Sequence, residues 1–494
     1  MEALNSLLGG LAIAFEFHNL ALILAGCLLG TLVGVLPGIG PAGAISILLP
    51  LSFQLPPAGA IIMLAGIYNG AMYGGSTTSI LVNVPGEAAS VVTCLDGYQM
   101  ARKGKAGAAL GIAVFGSFIA ATVGLIGLQL IAGPLSEFAL KFGPPEYFAV
   151  ILLGFTFIIY LAQRSIIKAA IMALCGLILG AIGLDPITSQ PRLTFGIISL
   201  YEGLHVVPLA IGLFGLAEIL ANLEKTVPQK IIKVKFRNLF PKKAHWLKAR
   251  WAIIRGTLIG FFMGILPGGG PVLSSFISYG VEKRLAKKPQ RFGRGAIEGV
   301  AAPESANNAA ASTSFIPLLT LGIPPNVVLA VLFGAFLMHG ITPGPLLLKE
   351  HPDIFWCIIG SMYIGNIILL VMNLPLIPLW VQVLRIPERI LYPLIILLCV
   401  IGAFSINNNV FDIFIMIIFG VFGYLLRKFD YEPAPLILAF VLGPMFEVNL
   451  RRSLLMSQGS FGIFIERPVA LMALVLCFLV IVLPVYHALT KRKK

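Results

Sequence analysis

The chain has 494 residues, of which 58% are hydrophobic and 11% charged, and it carries a formal net charge of +14 at a mean hydropathy of +0.95. This composition excludes an ordinary soluble domain, and continuous apolar runs in place of alternations of about ten residues exclude a β-barrel. The positive charge is gathered between apolar runs, which speaks against nucleic acid as a partner and for a multi-pass protein with basic cytoplasmic loops in a lipid bilayer.

Residues 3–15 are apolar, lack a basic start and run into more apolar sequence, so a short leading or interfacial helix is expected there rather than a cleavable signal. Next comes the phrase Gly34-Val-Leu-Pro37-Gly38-Ile-Gly40-Pro41 between apolar arms at 20–36 and 42–53. Glycine and proline inside an apolar run break a helix and free backbone groups that only a cavity or a ligand can satisfy within a membrane. A polar stretch follows from Tyr68-Asn69 through Ser76-Thr77-Thr78-Ser79 to Asn83 and Pro85-Gly86-Glu87. Spans are then expected at 106–132, 146–161, 166–184 and 204–221.

Residues 222–255 hold ten Lys/Arg against Glu224, and residues 282–294 hold six against Glu282. With Arg102, Lys103, Lys105, Arg164 and Lys168 these mark the inside, while the loops at 133–146 and 185–203 should face out. Between the two basic clusters the phrase returns as Gly264-Ile-Leu-Pro267-Gly268-Gly-Gly270-Pro271. Its arms, 252–266 and 272–281, would be helices of about 22 Å and about 15 Å, too short for a roughly 30 Å core. A re-entrant hairpin opening to the cytoplasm is expected here, and one opening outward at the first phrase.

The second polar stretch reads Glu298 to Pro303-Glu304-Ser305-Ala-Asn307-Asn308 and Ser312-Thr313-Ser314, with Thr77-Thr78-Ser79-Ile80 aligned to Ser312-Thr313-Ser314-Phe315. Further spans are expected at 354–384, 390–407, 410–426, 434–449 and 461–488. By parity Arg451 and Arg452 fall outside, against the charge bias.

The expected fold is an all-α polytopic membrane protein of about 10–12 membrane segments, with two inverted structural repeats, broken helices and re-entrant hairpins. Its parts are a first repeat at 1–221, a basic cytoplasmic linker at 222–255 and a second repeat at 256–494.

Inverted, broken-helix repeats are the usual basis of alternating access, so a secondary transporter is the leading reading. Hydroxyls following Gly74-Gly75 would cap a new half-helix and present donors to an anion such as a carboxylate. The expected substrate-binding residues are Gly38, Gly40, Ser76, Thr77, Thr78, Ser79, Asn83, Gly268, Gly270, Asn307, Asn308, Ser312, Thr313 and Ser314. Carbonyls freed at the breaks, with Asn83, Asn307 and Asn308, can hold Na⁺. Glu304 and Asn326 are candidates for coupling-ion binding or gating. The competing interpretation of the small and hydroxylated residues is close helix packing. Glu87 and Asp96 read as loop or structural groups, and His205 and His339 as packing residues.

No P-loop is present, since Gly97 to Gly104-Lys105 has the wrong spacing and lacks a following Ser/Thr, and no His-Glu-x-x-His occurs. The six cysteines have no paired spacing and read as small packing residues. No catalytic constellation or cofactor is indicated beyond a possible Na⁺ as coupling ion. A channel or scaffold subunit without cation coupling is the alternative.

The two Pro-Gly phrases, Tyr73-Gly-Gly-Ser-Thr-Thr-Ser79 to Pro85-Gly86-Glu87, Asp96-Gly97-Tyr98, Pro303-Glu304-Ser305-Ala-Asn307-Asn308 and His339-Gly340 to Pro343-Gly344-Pro345 resemble the large membrane subunit of the tripartite tricarboxylate transporter family. So do Gly443-Pro444, Glu447, Arg451, Ser453-Leu454 and Arg467-Pro468. The resemblance covers nearly the whole chain. It implies a translocating subunit in the bacterial inner membrane that imports tricarboxylates or related carboxylates by Na⁺ or H⁺ symport. A periplasmic solute-binding protein and a small membrane subunit would be its partners. One departure is local: the family reads Gly-Ile-Pro-Gly and a small residue where this chain has Gly322-Ile-Pro324-Pro325-Asn326, losing a flexible glycine and an N–H donor.

Overall fold

The computed structural model describes residues 2–36, 40–162, 164–224, 232, 238–383, 388–405 and 407–491. Among these residues the chain is helical almost throughout, apart from one antiparallel pair of two-residue strands, Gly183–Leu184 with Pro191–Arg192. Among the described residues six helices are long and apolar enough to cross a membrane: Phe17–Val35, Ala106–Ala139, Val206–Leu223, Pro352–Asn373, Val410–Lys428 and Ala434–Met456. Shorter apolar helices such as Pro144–Tyr160, Ile166–Gly180 and Pro468–Val482 would have to be counted to reach ten to twelve segments. The chain is thus an all-α membrane protein.

Each Pro-Gly phrase joins two helices into a hairpin. The first is Phe17–Val35 and Gly40–Ser52, its tip residues Pro37, Gly38 and Ile39 lying outside the described set. The second is Lys243–Ile265 and Gly270–Leu285. At its tip Gly268 and Gly270 have φ of 79° and 58°, a left-handed conformation that glycine adopts without steric cost. Arg255 and the buried Glu282 pair through two hydrogen bonds of 2.5 and 2.9 Å and tie the second hairpin's arms together.

The same packing device recurs at both hairpins. Glycines 26, 30 and 34 lie against the backbone of Met63, Ile67 and Ala71 in the Pro57–Leu81 helix. Glycines 256, 260 and 264 lie against Ala302, Ala306 and Ala310 in the Glu298–Thr313 helix. Without a Cβ at every fourth position, two helix backbones approach closely, which is how helices associate where lipid supplies no hydrophobic drive between them. Both contacts run in the same sense, so each hairpin's entering arm lies parallel to the polar helix that follows it.

This register corrects the alignment made from the hydroxyl runs. Ala71 and Ala310 occupy matching places, each against the last glycine of its triplet, so Tyr73, rather than Thr77, is the counterpart of Ser312. The runs were matched one helical turn out of step.

The basic loops collect at one end of the molecule. Lys103 Nζ donates to the Arg294 carbonyl at 2.6 Å, Lys168 Nζ donates to the Phe429 carbonyl at 2.7 Å, and Arg164 pairs with Asp430. Of the linker, residues 225–231 and 233–237 lie outside the described set, while Ile232 N donates to the Leu81 carbonyl at 3.3 Å. Asp96, fully buried, accepts from Gly293 N, Gly295 N, Ala296 N and the Tyr279 hydroxyl at 2.7 to 3.0 Å. It locks the segment after the second hairpin to the Val91–Arg102 helix, the structural role expected for it. His339 likewise packs, with Nε2 3.2 Å from Ser52 Oγ and its ring 5.8 Å from that of Phe53.

The Asp185 loop shows why Arg451 can defy the charge bias. Asp185 pairs with Arg451 at 2.8 Å and with Arg192, and Glu447 pairs with both arginines at 2.9 and 3.1 Å. Two carboxylates offset two guanidinium groups, and the charge at Arg451 is neutralised locally. Burial would raise the Asp185 carboxyl, but hydrogen bonds from Arg451, from the amides of Ile187 and Thr188, and from Arg192 outweigh it and hold the group below the usual range.

Two measurements check this architecture. A Cβ at position 260 would stand 2.1 Å from the Ala306 carbonyl oxygen, whereas one at Gly133 meets nothing within 4 Å. In thermal unfolding of the purified protein, Gly260→Ala should therefore cost about 1–3 kcal/mol and Gly133→Ala essentially nothing; equal stability of the two would refute the packing. A depressed carboxyl stabilises the fold above its unfolded value of about 3.9, and that contribution is lost as pH falls through and below this value. Wild type should accordingly lose more stability than Asp185→Asn on acidification from about pH 6 to about pH 3.5, and parallel losses would contradict the network.

Candidate functional site

A cavity of about 540 Å³ is lined by the start of the Gly40–Ser52 helix and by the tip of the second hairpin. Gly40 to Gly43 form one wall and Gly268 to Leu273 the opposite one, with Pro85-Gly86-Glu87 and Pro325 to Val328 between them. Its mouth lies toward the basic end and is lined by Arg164, Glu218, Arg427 and Glu432. Arg427 pairs with Glu218, and Glu432 Oε1 accepts from the Arg164 amide at 2.9 Å.

Four helices begin at this cavity: Gly40–Ser52, Gly270–Leu285, Val327–Met338 and Ala434–Met456. The first turn of each contributes lining residues, Gly40 to Gly43, Gly270 to Leu273, Val327-Val328 and Ala434-Pro435. A helix N-terminus carries unpaired amide N–H groups and about half a positive charge, so four of them aimed at one space favour an anion. The departure at Pro325-Asn326 serves this arrangement. Asn326 caps the Val327–Met338 helix through Oδ1 to the Leu329 amide at 3.1 Å, its Nδ2 donates to the Tyr68 hydroxyl at 3.3 Å, and the Pro325 carbonyl accepts from Gly268 N at 2.8 Å. The second tip is thereby fastened to the chain break that follows Gly322.

Of the residues expected at the substrate, the structure brings Gly40, Gly268 and Gly270 to this cavity, joined there by Asn326, the candidate for coupling-ion binding or gating, while Gly38 lies outside the described set. The hydroxyls sit elsewhere. Ser76, Thr77, Thr78 and Ser79 are buried within the continuous Pro57–Leu81 helix, and no helix starts after Gly75 for them to cap. Thr78 Oγ1 donates to the Gly75 carbonyl at 3.0 Å. Thr313 and Ser314 likewise donate to Ala309 and Ala310 at 3.0 and 2.6 Å. Thr78 and Thr313 thus satisfy themselves on their own helices, and Ser314 does so at the turn where Glu298–Thr313 gives way to Phe315–Leu321. Asn83, in a left-handed turn at φ 61° after that helix, is exposed and away from the lining.

Glu304 forms a second, buried cluster. It accepts from Ser76 Oγ at 2.5 Å and from Thr93 Oγ1, and its backbone carbonyl accepts from Ser117 Oγ and Asn308 Nδ2. Among the described residues it has no cationic partner within ion-pair distance. A carboxylate fully buried among neutral groups is costly, which is the circumstance in which such a group takes up a proton or works near a cation. Beside it, Asn307 accepts from Asn308, and Ser305 Oγ has no hydrogen-bond partner among the described residues.

Sequence reasoning did not foresee Arg164 and Arg427 at the mouth, nor Thr93 and Ser117 at Glu304. The glycine triplets were legible as a Gly-xxx-Gly-xxx-Gly pattern just before each Pro-Gly phrase. The others depend on contacts between distant segments.

The fold and cavity define a helical membrane protein with an anion-favouring chamber between paired hairpins. The chain belongs to the tripartite tricarboxylate transporter TctA family, whose model matches residues 20–438. This makes it a transporter component and not an enzyme, from a class of system that works with partner proteins. Two similar proteins come from Agrobacterium vitis. One, an uncharacterized 52.8 kDa protein in the TAR-I ttuC' 3' region, is 50% identical over 98% of this chain and 97% of its own length. The other, an uncharacterized protein in the TAR-II ttuC' 3' region, is 54% identical over 46% of this chain and 94% of its own length. No solved structure matches the chain.

Proposed function

We propose that this chain is the translocating subunit of an importer that moves carboxylates across the bacterial inner membrane by cation symport. The cargo would arrive from a periplasmic solute-binding protein, and a small membrane subunit would complete the system. The observation that carries this reading is the convergence of four helix N-termini on the cavity lined by the start of the Gly40–Ser52 helix and by the second Pro-Gly tip.

The matched glycine packing supports a duplicated core. Charge supports its inversion: the second hairpin's free ends lie among basic segments and the first hairpin's beside Phe53 to Pro57. Two hairpins closing one chamber from opposite sides suit alternating access better than a continuous pore. The mouth at the basic end then corresponds to a state open to the cytoplasm. Arg164 and Arg427 would meet the departing anion there as their own carboxylate partners exchange with it.

The test is uptake of radiolabelled tricarboxylates and dicarboxylates into proteoliposomes holding the full system. Uptake should require the binding protein and collapse when the Na⁺ and H⁺ gradients are dissipated. Uptake indifferent to both gradients would instead support the channel or scaffold reading. Gly270→Ala, forced into a left-handed conformation, should cost about 1–2 kcal/mol and slow uptake roughly tenfold. An unimpaired variant would remove the second tip from the mechanism.

A further inference from the structure

A second, much smaller cavity of about 10 Å³ lies in the centre of the protein. It is lined by Asn69, Tyr73, Ala121, Leu125, Asn308, Ser312, Met362 and Asn366. Its size is that of one water molecule or one small ion. Its walls reflect the duplication: Asn69 and Asn308 each stand two residues before the alanine that meets the last glycine of a triplet, and Tyr73 and Ser312 each stand two residues after it. The remaining four come as i, i+4 pairs from the Ala106–Ala139 and Pro352–Asn373 helices. The cavity therefore sits where the two halves meet.

The hydrogen bonds around it turn the Asn308 and Asn366 amide donors and the Tyr73 proton away from the space. Asn308 Nδ2 is committed to Ser117 Oγ, Glu304 O and Asn307 Oδ1, and the Glu304 carbonyl, which can only accept, fixes which way the amide points. Asn308 Oδ1 and Ser312 Oγ, on side chains only 2% exposed, receive no hydrogen bond among the described residues. The Tyr73 hydroxyl spends its proton on Asn366 Oδ1 at 2.7 Å and keeps its lone pairs. Asn366 Nδ2 is in turn taken by Phe118 O and Thr122 Oγ1 at 3.1 and 3.0 Å. The Asn308, Tyr73 and Ser312 oxygens with the Asn69 side chain give the lining the oxygen-rich character that a hard monovalent cation prefers. Glu304, one helical turn before Asn308 on the same helix, is the acidic group available to supply the compensating charge that a buried cation requires.

We propose that this central cavity is a sodium site, formed by the oxygens of Asn69, Tyr73, Asn308 and Ser312 with Glu304 as the compensating charge. The proposal rests on the cation-symport reading and locates its ion. It moves the ion from the helix breaks expected from sequence to the seam between the halves. An ion there touches the helices following both hairpins, so its binding favours one relative arrangement of the two halves, and that differential affinity is what coupling requires.

The experiment measures radioactive sodium binding and Na⁺-dependent thermal stabilisation of the purified full-length protein, with K⁺ and choline as controls. Wild type should be stabilised by Na⁺ alone. Ser312→Ala and Asn69→Ala, each removing one cavity side chain's oxygen, should weaken sodium affinity on the order of tenfold, and the double variant should abolish binding while melting like wild type without sodium. Sodium binding unchanged in the double variant would overturn the site. So would wild type that binds no sodium, the cavity then holding water. Uptake separates the two levels: sodium- or proton-driven uptake with an intact double variant would reject this site and leave symport standing, whereas gradient-independent uptake would reject the symport reading itself.

Discussion

A helix that stops inside a membrane leaves amide groups without partners and without water to replace them. That constraint governs the molecule. The chain interrupts itself at Pro37 to Gly40 and again at Pro267 to Gly270, and such interruptions are tolerable only where the freed groups face protein, a cavity or a ligand. Setting the start of the Gly40–Ser52 helix and the second tip against one chamber meets the requirement for their freed groups at once. Adding the starts of the Val327–Met338 and Ala434–Met456 helices makes the chamber attractive to anions without a lysine or arginine buried at its centre.

Holding short hairpins in place demands close packing, and glycine supplies it. The triplets 26, 30, 34 and 256, 260, 264 press each entering arm onto a long buried helix, and those two helices carry the polar groups at the centre of the protein. Packing and polarity are thus linked. The helix that braces one hairpin supplies Ser76 to Glu304, while the helix that braces the other supplies Glu304 itself and Asn308. A shift in either half is felt at the other through this buried network, which is a physical basis for joining ion binding to movement of the chamber walls.

Much of this was legible in sequence because it is local. Two copies of one phrase announced where helices stop and restart, although the second hairpin's entering arm, Lys243–Ile265, is longer than the apolar run alone implied because it takes in basic residues. The hydroxyl runs misled because Ser and Thr have two uses. They can cap a new helix, or they can donate to a carbonyl three or four residues back, as Thr78 and Thr313 do, and leave the helix unbroken. The partners of Glu304 and of Asn366, by contrast, come from segments far away in the chain, and no local pattern encodes such meetings. The one-turn slip between the two polar stretches has the same origin, since register is set by the glycines of another helix.

The most direct test of the account is substrate protection at the chamber wall. In a cysteine-free background, single cysteines at Val272 and Val328, which line the cavity on two different elements, would be alkylated with and without carboxylates. The account predicts that dicarboxylates or tricarboxylates slow labelling at both positions while their neutral amides do not. Labelling that carboxylates leave unchanged at both positions would contradict the assignment of this chamber as the anion site.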